Sequence, residues 1–317
     1  MVNRAMRCCW VAAIWLLGSL ILAGPVAAQQ DESEAEPDYS RQGADTCLKC
    51  HDESADFPVL SIFKTPHAVT ADERSPFANL QCESCHGPGG EHGKRLRFNE
   101  ERAPIMAFGN NAVWSRERQN GICLGCHQDS QMHWQGSVHQ NQEVACSDCH
   151  QVHVEHDPVS VVEEQPRVCF DCHVTQRAES FQASSHPIRY GQMDCSGCHQ
   201  PHGSLTEADL VRPTLNETCY QCHAEKRGPL LWEHAPVPED CTLCHRPHGS
   251  NHPALLNKPA PLLCQQCHAR AGHPSIGRTA DGRPGRSPSA FLLNGSCTNC
   301  HSQVHGSNHP SGASLLR

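Results

Sequence analysis

The chain has 317 residues, 22 cysteines, 24 histidines and a formal charge of −9 at pH 7. This acidic balance argues against nucleic acid as a partner, because the phosphate backbone binds basic surfaces, and it favours docking onto basic patches of other proteins. Only 5% of the residues are aromatic, against 23 glycines and 23 prolines, so side chains alone cannot form an ordinary aliphatic core. The fold must bury apolar surface from another source.

Residues 1–28 have the pattern of a secretory signal peptide. Arg4 and Arg7 precede a short apolar run, which closes on the small residues Val26-Ala27-Ala28. A retained membrane anchor is the less favoured alternative, because the run is short for crossing ~30 Å of hydrocarbon. We therefore predict cleavage and export to the periplasm. Residues 29–46 carry several carboxylates among few apolar side chains and are predicted to be a disordered acidic lead-in.

From residue 47 onward one motif recurs ten times: a cysteine, two other residues, a second cysteine and a histidine directly after it. C-x-x-C-H is the attachment motif of c-type haem, in which the cysteines form thioethers to the haem and the histidine is the proximal iron ligand. Zinc sites and disulfide frameworks are poor alternatives, because neither requires a histidine after the second cysteine in every copy. Only Cys8 and Cys9, in the signal peptide, lie outside these motifs.

The sequence therefore predicts ten covalently bound haem c groups as cofactors. The predicted thioether residues are Cys47, Cys50, Cys82, Cys85, Cys123, Cys126, Cys146, Cys149, Cys169, Cys172, Cys195, Cys198, Cys219, Cys222, Cys241, Cys244, Cys264, Cys267, Cys297 and Cys300. The predicted proximal ligands are His51, His86, His127, His150, His173, His199, His223, His245, His268 and His301.

Residues 47–317 are predicted to form one decahaem electron-transfer domain of five two-haem modules, at a spacing typical of tandem repeats. Each module has a first-type motif, a spacer with a histidine, and a second-type motif followed closely by a trailing histidine. We expect an elongated multihaem cytochrome c of short α-helices and irregular loops packed around the haems, with little or no β-structure. The modules are 47–122, 123–168, 169–218, 219–263 and 264–317.

The sixth iron ligand decides what such haems can do. Methionines and lysines outside the signal peptide are too few for ten sites, whereas each module has a spacer histidine and a trailing histidine. His133, His156, His252 and His309 remain and are interpreted as surface or propionate-contacting histidines. The predicted distal ligands are His67, His92, His139, His153, His186, His202, His234, His248, His273 and His305.

A trailing histidine lies three residues after its motif histidine in C-x-x-C-H-x-x-H, on the same helix face, so it must bind a neighbouring haem. We expect it to serve the first haem of its module and the spacer histidine to serve the second. Haems with two histidine ligands have no open position, unlike catalytic metal sites. The prediction is an electron-transfer protein that is not an enzyme and has no catalytic residues.

The stretch Cys82-Glu83-Ser84-Cys85-His86-Gly87-Pro88-Gly89-Gly90-Glu91-His92 and the repeated C-x-x-C-H-x-P-H-G units resemble periplasmic decahaem c-type cytochromes of the MtrA/DmsE/PioA type. The resemblance covers essentially the whole exported chain. It implies a haem wire inside an outer-membrane β-barrel porin, in extracellular electron transfer and anaerobic respiration. The implied partners are that porin, an extracellular multihaem cytochrome, and a periplasmic or inner-membrane cytochrome as electron donor or acceptor.

Two alternatives stay open. One is a soluble periplasmic electron shuttle that donates to a terminal reductase. The other is a multihaem reductase with one open haem, which would predict a C-x-x-C-Lys motif or too few distal histidines. All ten motifs here end in histidine.

Overall fold

The computed structural model describes residues 37–128, 133–268 and 297–316. From Asp38 onward the chain forms one unit. The predicted signal peptide, residues 29–36 of the predicted lead-in, and the predicted distal ligand His273 lie outside the described residues.

Short α-helices and 3₁₀ turns make up the regular structure of these residues, and the longest helix has nine residues. In the same ranges, no helix has the length and apolar character needed to cross a membrane. The α-helices are α1 (Ala44–Cys47), α2 (Glu83–His86), α3 (Arg116–Leu124), α4 (Val138–Asn141), α5 (Cys146–Cys149), α6 (Gln165–Phe170), α7 (Val174–Ser180), α8 (Leu215–Cys219), α9 (Pro236–Glu239) and α10 (Ala260–Gln265). The 3₁₀ turns are Val59–Lys64, Pro66–Ala68, Pro76–Ala78, Pro158–Ser160, Pro187–Tyr190, Glu207–Asp209, Ala224–Lys226, Cys241–Leu243, Pro253–Leu255 and Cys297–Asn299.

Five of these helices, α1, α3, α6, α8 and α10, each carry the first cysteine of a first-type motif near their C-terminal end. Local sequence starts them: the side chain of Ser115 accepts a hydrogen bond from the Arg118 amide at α3, and Thr214 does the same for α8. Proline lies in the first turn of α6 and α10, where no amide donor is needed. The predicted module boundaries at 123, 169, 219 and 264 therefore fall inside helices.

The described chain contains isolated β-bridges and no strand, as the sequence predicted for a fold with little β-structure. Two bridges, His199 with Leu210 and His245 with Leu256, close the loop after a second-type motif at matching repeat positions. The other two, Ser184 with Ser250 and Trp232 with Ser307, join residues of neighbouring modules. Backbone pairing thus ties one repeat to the next.

Few apolar side chains are buried among the described residues. Ala44, Ile62 and Phe77 form the one buried cluster in that part of the chain, all in or beside the first module. Most other buried side chains are polar, among them Gln119, which is 1% exposed, and several further amides. A polypeptide with so little apolar burial agrees with the expectation that bound cofactors complete the interior.

Candidate haem-binding sites

All ten C-x-x-C-H segments adopt the same single helical turn. In each, the histidine amide donates a hydrogen bond to the carbonyl of the first cysteine, at N···O distances of 2.8–3.0 Å. Residues three and four apart lie on one face of such a turn. Both thiols and the imidazole of every motif are therefore presented together, as attachment and proximal ligation of one haem require. No disulfide joins any of these twenty cysteines.

The two motifs of a module lie side by side. The first cysteines of the motifs interact in every module: 47 with 82, 123 with 146, 169 with 195, 219 with 241, and 264 with 297. A hydrogen bond from Cys82 lowers the pKa of the Cys47 thiol to about 7, and Cys146 lowers the pKa of Cys123 to about 7 in the same way. Contact between these thiols places two attachment sites next to each other.

A buried amide side chain holds this arrangement in three consecutive modules. The Oδ1 atom of Asn216 accepts a hydrogen bond from the Cys241 amide at 2.8 Å, while its Nδ2 atom donates to Val237 at 3.0 Å. Asn120 binds Cys146 in the same way, and Gln165 accepts from the Cys195 and Ser196 amides. In each case the amide lies on the helix of the first-type motif and fixes the start of the second-type motif.

Nine motif histidines face the ring of a second histidine, with ring centroids 5.9–6.4 Å apart. Two metal–nitrogen bonds of about 2.0 Å, with about 1.1 Å from each nitrogen to its ring centre, would separate centroids by about 6.2 Å. The gap therefore fits one iron. The pairs are 51 with 92, 67 with 127, 86 with 153, 139 with 173, 150 with 202, 186 with 223, 199 with 248, 234 with 268, and 245 with 305. Every partner ring belongs to a predicted distal ligand.

The expected pairing within modules is wrong for all of these rings except His92, which faces His51 of its own module. Spacer histidines face the first-type motif of the following module, as His186 faces His223. The remaining trailing histidines face the second-type motif of the preceding module, as His248 faces His199. In modules two to five, the loop after the second-type motif folds back onto the module before it.

Glycine makes this return possible. Gly203, directly after a trailing histidine, has φ +103°, and a Cβ there would lie 2.6 Å from the His133 carbonyl oxygen of the preceding module. At Gly249 an added Cβ would overlap the carbonyl oxygen of Glu179. Only glycine allows so close an approach of two backbones. Glycine directly follows the trailing histidine at 202–203, 248–249 and 305–306, where the loop returns to the preceding module. The dipeptide alone does not predict the pairing, because His92-Gly93 pairs within its module and His153-Val154 pairs between modules.

The same return loop orients the spacer histidines. The Nδ1 atoms of His139, His186 and His234 lie 2.7–2.8 Å from the backbone oxygens of Pro201, Pro247 and Val304, each directly before a trailing histidine. A hydrogen bond from Nδ1 to a carbonyl leaves Nε2 as the metal-binding nitrogen. One loop thus positions two predicted distal ligands.

Comparison with known proteins matches this chain to c-type cytochromes and to a family defined by the same motif. Residues 186–228 and 234–273 match the family described as "Doubled CXXCH motif". Residues 82–168 match "Cytochrome c-type protein NrfB-like", and residues 24–87 match "Cytochrome c554 and c-prime". The chain is 52% identical over 296 residues to "Multiheme cytochrome MtrA" of Shewanella baltica (strain OS185), covering 92% of this chain and 86% of that protein.

The chain belongs to the MtrA family of multihaem cytochromes. The resemblance inferred from the motifs is confirmed, and so are a c-type multihaem fold with little β-structure, binding of haem c, and a role in electron transfer.

Burial prepares several imidazoles of this MtrA-family chain for metal binding. Removal from water lowers the pKa of His67, His86, His202, His248 and His305, because a buried site disfavours the charged ring. Only neutral imidazole coordinates a metal. The four remaining histidines, His133, His156, His252 and His309, take no part in the nine described ring pairs, and their role at the surface stays a prediction.

Proposed function

We propose that this chain carries electrons along ten haem c groups, each held by one motif histidine and one further histidine. The nine facing ring pairs carry this proposal, because each leaves room for one iron between two imidazoles. Bound haem iron supplies reversible one-electron exchange between its ferric and ferrous states. The polypeptide attaches, ligates and spaces these groups.

The twenty motif cysteines are proposed to form the thioethers, and the ten motif histidines to be the proximal ligands. The distal ligands are the nine partner rings and His273, which we assign to the site of His301. His273 has the spacer position of the fifth module, and the other four spacer histidines all face a motif histidine.

Closed coordination is the reason for proposing electron transfer without catalysis. With an imidazole on each side, iron offers a small substrate no position, whereas catalytic metal centres keep one open. We therefore assign no catalytic residue. Electron paramagnetic resonance of the oxidised protein tests this: low-spin signals from all haems are expected, and a stoichiometric high-spin signal that changes with nitrite would favour the reductase.

The arrangement of attachment sites supports transfer along the chain in sequence order. Thiols are in contact within each module, and Cys85 lies close enough to Cys123 and Cys126 of the next module to interact electrostatically. Cys149 and Cys198 likewise interact electrostatically with the cysteines of the first motif in the next module. Electron tunnelling falls steeply with distance, so adjoining sites favour a continuous path.

We further propose that the chain lies in the periplasm and enters an outer-membrane β-barrel porin, through which it exchanges electrons with an extracellular multihaem cytochrome. A periplasmic or inner-membrane cytochrome would serve the other end. The signal-peptide pattern and membership of the MtrA family support this proposal. A shuttle that donates to a terminal reductase is the second candidate, because residues 82–168 match the NrfB-like family.

Fractionation of the host separates these two functions. Outer membranes would be extracted with detergent, and the haem-staining band followed through size exclusion. Co-migration with a β-barrel protein is expected for the conduit. A band found only as a free species in the periplasmic fraction would overturn the conduit and favour the shuttle.

A further inference from the structure

The five second-type motif histidines share one contact, in which Nδ1 lies 2.6–2.8 Å from an oxygen atom. In four of them the oxygen is a backbone carbonyl. The acceptors are Met106 for His86, Ala208 for His199, Ala254 for His245 and Ser314 for His301. His150 differs, because its Nδ1 lies 2.6 Å from a carboxylate oxygen of Asp157.

The backbone at two of the carbonyl sites differs from that at Asp157. Ala208 and Ala254 adopt left-handed conformations, with φ of 54° and 55°, and their carbonyls lie at the histidines of the preceding motif. Asp157 has an ordinary extended conformation with φ −69° and is followed by Pro158. At this site the Asp157 side chain supplies the oxygen that a backbone carbonyl supplies at the other four.

Two contacts fix the Asp157 carboxylate close to the ring. Its second oxygen accepts a hydrogen bond from the Gln151 amide at 3.1 Å, and the side chain is 23% exposed. Within the described chain no lysine or arginine pairs with it. By contrast Glu179, 3.4 Å from Nδ1 of His248, is also held by Arg246 at 2.7 Å.

We propose that Asp157 is a positioning residue that gives the haem of Cys146 and Cys149 the lowest reduction potential among the five second-type sites. This inference rests on the proposed ligation of iron by His150. A carboxylate that accepts the Nδ1 hydrogen bond raises the basicity of the ligating imidazole more than a neutral carbonyl does. A more basic ligand, and a nearby negative charge, both stabilise the ferric state, whose net charge is higher by one.

The test compares Asp157→Asn with a matched variant of the same site. Asparagine keeps the shape and an acceptor oxygen but removes the charge. The control is Asp148→Asn, two residues before His150, where the carboxylate pairs with Arg116 at 3.1 Å and accepts from the Ala145 amide at 2.9 Å. It removes the same charge near the same haem without touching the imidazole.

Optical redox titration of the purified holoprotein gives the readout. In Asp157→Asn the reduction potential of one component of the titration is expected to rise. The expected rise is at least tenfold in the equilibrium constant for reduction, which is about 59 mV for a one-electron couple. Asp148→Asn should raise the reduction potential of this component less. An unchanged titration in Asp157→Asn, or an equal shift in both variants, would overturn the inference.

A second measurement tests the proposal if Asp157→Asn attaches haem poorly. Replacing Cys146 and Cys149 by alanine removes this haem, and the component lost from the titration should come from its low-potential end. Loss from the high-potential end would refute the assignment. Absence of low-spin haem in the wild-type protein would overturn the proposed function instead, which keeps the two failures distinct.

Discussion

The first and fourth modules use their trailing histidines in different ways. In the fourth module, His248 turns back to His199 of the module before it, and the His-Gly loop packs backbone against backbone. In the first module the trailing His92 faces His51 of the same module. This module also contains the buried apolar cluster of the described chain. The first module thus supplies the partner of His51 itself, while His86 still takes its partner from the second module; atypical terminal repeats are common in tandem arrays.

The largest expected effect comes from removing a proposed distal ligand, either His92, which faces its own module, or His186, which faces the next one. His92→Ala and His186→Ala should each convert one haem of the oxidised protein from low to high spin, because each removes one of two iron ligands. Electron paramagnetic resonance measures the conversion. His156→Ala, outside the nine described pairs, is the control and should leave the spectrum unchanged.

Combining His186→Ala with deletion of an attachment site tells which haem it serves. With Cys219 and Cys222 replaced by alanine, His186→Ala should add no high-spin haem, since its partner site is gone. With Cys195 and Cys198 replaced instead, the high-spin signal should persist. The reverse pattern would mean that His186 binds the haem of Cys195 and Cys198 in its own module.

The next effect concerns Gly249, where the return loop of the fourth module approaches the backbone of the third. Gly249→Ala should destabilise the protein by about 3 kcal/mol, because the new Cβ overlaps the rigid backbone at Glu179. Denaturant unfolding followed by circular dichroism measures it. Gly121→Ala is the matched control: its Cβ would meet nothing within 4 Å, and alanine in α3 should be neutral or stabilising. Equal losses in both would contradict the close approach.

A smaller loss is expected at the amide that joins two motifs. Asn216 is 7% exposed, and Asn216→Ala leaves the buried Cys241 amide and Val237 carbonyl without this partner. The cost should be about 1–3 kcal/mol of unfolding free energy. The exposed Asn251→Ala should be nearly silent in the same measurement. A silent Asn216→Ala would show that the motifs hold together without the amide.

The smallest effect lies between the first and second modules. Lys64 and Glu155 form an ion pair at 2.8 Å, with both side chains more than half exposed. Glu155→Gln should leave the unfolding midpoint unchanged within error, because such surface pairs are screened by water and salt. A clear loss would mean that the first two modules depend on this contact more than their exposure suggests.

The attachment motifs and the distal candidates could be named from the sequence, because both follow from counting residues with a fixed chemistry, and nine of the candidates face a motif histidine in the structure. The sequence did not give the pairing. His139 lies 12 residues after His127 yet faces His173, and spacing along the chain carries no information about the direction in which a loop returns. The Nδ1 acceptors were equally hidden, since a carbonyl such as that of Ala208 has no side-chain signature.

The alternation of partners has a consequence for a chain that crosses a membrane N-terminus first. In the proposed ligand scheme, the site of His127 is complete as soon as its motif emerges, because His67 is already outside. The site of His150 waits for His202, some fifty residues later. The first-type sites of modules two to five would be complete as soon as their motifs emerge. The second-type sites of modules one to four would wait for the trailing histidine of the next module, so each newly exported module completes the one before it. A chain truncated between modules would end on an unfinished haem.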